Sequence, residues 1–128
     1  MDERCARVHE GECDWEYDKG PRDGPIVRWR TLVSADRTPS RGLTTGICVV
    51  PPGGELAPHH HAPQEVYYVA EGKAEVFLDG RWRPLEKGDA VYIPGGATHG
   101  LRNRGADPFT LVWTFPTDTL AEIEYLDG

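Results

Sequence analysis

Four glycines, Gly72, Gly80, Gly88 and Gly96, stand eight residues apart. That interval leaves no room for helices of ordinary length. It brackets the runs Ala74–Leu78, Arg81–Leu85 and Ala90–Pro94, which are rich in β-branched and aromatic residues. Short runs of that composition between turn residues read as antiparallel strands joined by tight turns. Asp79-Gly80 is the clearest hairpin turn, because the favoured two-residue loop needs two residues that tolerate positive φ. Ile26–Val33, Leu43–Val50 and Phe109–Phe115 extend the strand pattern to either side. Thr117–Tyr125 reads as starting with a short helix, capped by Thr117 or Asp118, before a last extended piece. For 128 residues this predicts one all-β domain, a double-sheet jelly-roll barrel. Residues 1–25 are polar and acidic, with only Trp15 and Tyr17 large and apolar. They are expected to form an N-terminal arm, and residues 26–128 the barrel with a short C-terminal extension.

Charge and punctuation narrow the partners. The net charge is −7 and the arginines are scattered, which argues against nucleic acid or an anionic membrane surface. No apolar run reaches the length of a membrane span, the longest being broken by Pro51-Pro52. Cys5, Cys13 and Cys48 cannot all pair with one another, and no basic-then-apolar leader opens the sequence, so a reducing cytoplasm is the expected compartment. The strand Ile26–Val33 would leave an open sheet edge that a second copy could cover, which predicts a homodimer.

The chemistry concentrates in one stretch. His59 and His61 are two residues apart, so in an extended strand their side chains leave the same face, roughly 7 Å apart along the backbone. Glu65 and Tyr67 keep that parity. With His99 they form a donor set of imidazoles and a carboxylate suited to a divalent transition metal, whether Fe, Mn, Ni, Co or Zn. Four protein ligands on an ion that prefers six would leave positions open for a substrate oxygen. Tyr67 would project into the same cavity. Its phenol, with a pKa near 10, needs about 4 kcal/mol of differential stabilisation to act as a base near neutrality, which a neighbouring cation can supply. His60 should face the other way. Arg28 and Arg30 share a strand face and would clamp an anion if that face were internal, or be solvated if external. Cys48 should be a buried, unreactive thiol. Cys5, His9 and Cys13 lack a fourth partner for a second metal.

The spacing Gly53-x5-His59-x-His61-x3-Glu65-x6-Gly72, then Gly88-x5-Pro94-x-Gly96-x2-His99-x3-Asn103, matches the two cupin motifs without a gap. The chain therefore resembles the cupin superfamily, whose fold is the double-stranded β-helix. That resemblance implies metal ligation by His59, His61, Glu65 and His99. Within the cupins it is most similar to the short, single-domain dimethylsulfoniopropionate lyases. The likeness covers Val27-Arg28-Trp29, Pro52-Gly53-Gly54, Glu65-x-Tyr67, Trp113-x-Phe115-Pro116-Thr117-Asp118 and Glu122-Ile123-Glu124-Tyr125. It implies a small carboxylate substrate bound to the metal, Tyr67 as the base that removes the adjacent proton, and Tyr125 close to the substrate. Two other activities are compatible with the same ligand set: a non-haem iron oxygenase, and a non-enzymatic module that binds a small ligand through its metal.

Overall fold

All four evenly spaced glycines take positive φ, between 80° and 94°, and each closes a turn. At the sharpest, Asp79 (φ 53°) and Gly80 (φ 81°) are the only two residues between the paired Leu78 and Arg81. That is the geometry of a type I′ hairpin. The computed structural model describes residues 2–18 and 24–128; Met1 and residues 19–23 of the expected arm lie outside the described residues.

Among the described residues eleven strands follow in chain order: β1 (Glu16–Tyr17), β2 (Arg28–Val33), β3 (Thr44–Val50), β4 (Glu55–His60), β5 (Glu65–Glu71), β6 (Lys73–Leu78), β7 (Arg81–Glu86), β8 (Ala90–Ile93), β9 (His99–Arg102), β10 (Phe109–Phe115) and β11 (Leu126–Asp127). They form two antiparallel sheets. One has the order β1-β2-β3-β10-β5-β8 and the other β11-β4-β9-β6-β7. The jelly-roll expectation is met.

Alternation along the strands decides what enters the interior. On β10, Phe109, Leu111, Trp113 and Phe115 are buried, and on β5, Glu65, Tyr67 and Val69. Val66 and Tyr68 of β5 face out. Each fully buried large apolar side chain stabilises the fold by about 1.5–3 kcal/mol. Gly46 faces Trp113 across the β3–β10 pair. A Cβ at Gly46 would overlap the Arg30 carbonyl oxygen and the Trp113 ring, so the indole takes the space a side chain would fill. Asn103 is buried and fully used: Nδ2 donates to the Val50 and Asp107 carbonyls at 2.9 and 2.8 Å, and Oδ1 accepts from the Gly105 amide at 3.0 Å. Its place in the second motif is structural.

Three expectations meet a different outcome. The short helix expected at the start of Thr117–Tyr125 is only a 3-10 turn at Leu120–Glu122, with Thr119 at its cap position making no side-chain capping bond. Both predicted caps are committed elsewhere. Asp118 accepts from the Gly42 amide at 2.7 Å, and the Thr117 hydroxyl donates to the Thr119 carbonyl at 3.0 Å. Arg28 and Arg30 do sit on the outer face, but they are not simply solvated: their guanidinium carbons lie 4.5 and 4.0 Å from the Trp15 ring centroid, a double cation–π stack that anchors the arm. Their cross-strand partners Val49 and Ile47 are buried outside the main core. Finally, the outer edge of β2 is not fully open, because β1 pairs with Arg28 and Trp29 and Glu16 accepts a 2.7 Å bond from the Thr31 hydroxyl.

Candidate metal centre

β4 and β9 are neighbours, and their register places His59 directly opposite His99. The same pairing sets Leu56 opposite Leu101. Three steps along β4 thus match two along β9, so one extra residue is inserted at Ala57-Pro58, a β-bulge. Without it Leu56 and His59 would leave opposite faces; with it Leu56 packs on the core and His59 turns inward. Gly100 accommodates the bulge, since a Cβ there would stand 2.7 Å from the Leu56 carbonyl oxygen. His61 lies just beyond the end of β4, and Glu65 opens β5.

One ligand atom from each of His59, His61 and His99 lies within 4.8 Å of the others. His61 and His99 are essentially inaccessible (1% and 0%), whereas His59 is partly exposed. Each ring is oriented by a main-chain carbonyl at Nδ1: Ala57 for His59 (2.9 Å), Pro63 for His61 (2.8 Å) and Ala97 for His99 (2.9 Å). A neutral imidazole that donates from Nδ1 carries its free lone pair on Nε2. Glu65, 5% exposed, sets Oε1 3.2 Å from His61 Nε2 and 3.3 Å from His99 Nε2. His99 Nε2 is buried and has no hydrogen-bond partner. Burial works against charge on His61, but the Glu65 carboxylate and the Pro63 carbonyl outweigh it and hold the imidazole above its ordinary pKa. At His59 burial prevails and the pKa is lowered. The group of three histidines, with rings pre-oriented and one buried nitrogen unspent, fits a divalent metal ion.

The neighbouring walls are aromatic. Tyr67 is buried, with its ring centroid 6.3 Å from that of His99. Phe115 stands edge-on to His61 at 5.1 Å. Tyr125 approaches His59 and His61 at 5.8 and 5.5 Å while remaining 53% exposed at the rim. Burial, then the charge of Glu65, push the Tyr67 phenol well above its ordinary pKa, and the same two causes raise Tyr125. Glu65 is engaged by the two histidines, and among the described residues no hydrogen bond joins it to Tyr67. Cys48 is buried and its thiol pushed up to about 12, chiefly by desolvation, consistent with an unreactive core residue. His60 is on β4 opposite Leu126 and outside the histidine group. Among the described residues Cys5, His9 and Cys13 form no metal-binding group; His9 instead accepts from the Gly11 amide at 2.9 Å.

The sequence reading missed the bulge, the packing of Phe115 on His61 and the pairing of the last extended piece, β11, with β4 beside His59. Pro58 inside an apolar run is the one signal that pointed to the bulge.

The cupin domain model matches residues 46–115, more than half of the chain and the whole of the histidine site. This chain belongs to the cupin family. The cupin is 37% identical over 99 residues to the dimethylsulfoniopropionate lyase DddW of Ruegeria pomeroyi, covering 77% of the chain but only 64% of the lyase. Among solved structures, the polyketide cyclase RemF of Streptomyces resistomycificus superposes with a TM-score of 0.76 at 24% identity, over 88% of this cupin and 79% of the cyclase. The DMSP lyase DddQ of Ruegeria pomeroyi superposes at 0.72 and 24% identity, over 84% of this cupin and 58% of the lyase. At that identity the two structures speak for the fold alone.

Proposed function

We propose that this cupin is a metal-dependent lyase that removes the proton next to a metal-bound carboxylate, with dimethylsulfoniopropionate or a related small carboxylate as substrate. The observation that carries the reading is the buried, unspent Nε2 of His99 beside His59, His61 and Glu65, with a buried tyrosine on the neighbouring sheet. In this reading His59, His61, Glu65 and His99 hold the ion. Bound there, a divalent metal would supply Lewis acidity at the substrate carboxylate.

The remaining roles fall to side chains. Among the described residues no lysine or arginine is buried, and Arg28 and Arg30 are turned outward onto Trp15. The walls thus offer no second anchor for a polyanion, which favours a substrate with one carboxylate. Tyr67, as its phenolate, accepts the α-proton at Oη and becomes the neutral phenol. The electron pair of that C–H bond forms the new carbon–carbon double bond while the C–S bond breaks and its pair leaves on sulfur, giving acrylate and dimethyl sulfide. Trp113, Phe115 and Tyr125 present aromatic faces to the sulfonium, an attraction worth about 2 kcal/mol once desolvated. Tyr125, at the rim, orients the substrate.

The test starts with elemental analysis of protein purified without added metal. Stripped and reloaded protein is then assayed on dimethylsulfoniopropionate and a panel of small carboxylates. Equal amounts of dimethyl sulfide and acrylate, lost on chelation and restored by metal, are the expected result. Substrate-dependent oxygen uptake abolished under anaerobic conditions would replace the lyase by an iron oxygenase. Calorimetric binding with no product across the panel would replace it by a binding module.

The three free thiols suit a reducing cytoplasm. A homodimer belongs to the same reading. With β2 partly covered by β1, the edge strand β8 with its exposed Tyr92, and Val66 and Tyr68 on β5 beside it, offer the better face. Light scattering at twice the chain mass is expected; a monomer at all concentrations removes this part.

A further inference from the structure

The strand that carries His59 would be the edge of its sheet were it not for the last five residues. β11 lies along β4 with Leu126 opposite His60 and Asp127 opposite His59. The Gly128 amide donates to the Pro58 carbonyl at 3.1 Å, within the bulge that turns His59 inward. Gly128 sits so close that a Cβ would stand 2.6 Å from Thr98 Cγ2 and 2.9 Å from the Pro58 carbonyl. The segment therefore touches both the residue before His59 and the residue before His99. The Tyr125 ring adds a lateral contact to His59 and His61.

This contact is weakly held. Ile123 is buried and joins the core, but residues 124–128 are all exposed. A segment with few buried contacts opens at low free-energy cost without global unfolding. His59, the most exposed histidine of the three, is the one it supports.

We propose that residues 124–128 are a positioning element for His59, so that docking of this segment and metal retention reinforce each other. The proposal rests on reading the three histidines as a metal centre, and extends it from the ligands to what holds them. An edge cap with no link to the metal would shield β4 and leave ion binding untouched. Coupling is reciprocal: whatever factor the docked segment adds to metal affinity, the metal adds to docking.

Co2+ serves as probe, its affinity read by competition titration of the visible absorption. Two variants are compared with the full chain, one ending after Ile123 and one carrying Tyr125→Ala with the backbone of β11 intact. Hydrogen–deuterium exchange of the peptide bearing residues 124–128 is followed with and without Co2+. Ending the chain after Ile123 is expected to weaken Co2+ binding about tenfold, the effect of losing support behind a ligand. Tyr125→Ala is expected to weaken it in the same direction, and Co2+ to slow exchange of the segment. Unchanged affinity in both variants, or exchange indifferent to Co2+, overturns the proposal while leaving the metal centre standing. A full chain that binds no Co2+ overturns the metal centre and the proposal with it. Should the shortened chain fail to fold, Tyr125→Ala and the exchange measurement decide.

Discussion

Tyr67→Phe is expected to lower turnover of the metal-loaded protein by a factor of about 10²–10⁴, the range supplied by a positioned proton acceptor. Metal content and thermal unfolding should stay as they are. The substitution removes one oxygen and keeps the ring that packs among Val91, Trp113 and the core. Since no hydrogen bond joins Tyr67 to Glu65 among the described residues, Glu65 should keep its contacts with His61 and His99. The phenol also explains why such chemistry would depend on the ion. In the metal-free protein burial and the Glu65 charge hold Tyr67 protonated well beyond the ordinary tyrosine range, so it is a poor base. A cation nearby acts in the opposite sense and favours the phenolate. Ultraviolet titration should therefore show Tyr67 ionising at lower pH with metal than without. Undiminished turnover by Tyr67→Phe on every accepted substrate would remove tyrosine from the reaction.

The second large effect is structural. Gly46→Ala is expected to destabilise the fold by about 3 kcal/mol, the upper part of the usual cost of overpacking. The added methyl overlaps a backbone carbonyl on one side and the Trp113 indole on the other, and only the indole can move. Trp113 pairs with Tyr67 across β10 and β5, so its displacement reaches the wall of the site. Denaturant unfolding and tryptophan emission read the two consequences separately. Wild-type stability with unshifted emission would show that the barrel yields at Gly46 despite the close Arg30 carbonyl and Trp113 ring.

Much of this was legible from local chemistry. The glycine interval set turn positions because positive φ is a property of single residues, and Glu65 and Tyr67 share the inner face of β5 because strand parity is short-range, whereas His59 reaches the site from the other sheet. What escaped the sequence is long-range. Trp15 finds Arg28 and Arg30 only once β1 folds back on β2, and a two-residue strand such as β11 has no pattern of its own. The expected helix after Phe115 failed because Asp118 is claimed by Gly42, 76 residues away in the chain. The histidine parity was also incomplete: His59 faces inward relative to Leu56 only through the bulge, which depends on Gly100 of the neighbouring strand.

That inserted residue means the phasing of the donors is a matter of chain length as much as of identity. A barrel one residue shorter between Leu56 and His59 would keep every ligand residue, change only the spacing after Gly53, and turn an imidazole toward water. Gain or loss of such a centre can thus pass through a single-codon deletion or insertion, an event that a column-by-column comparison of side chains does not register.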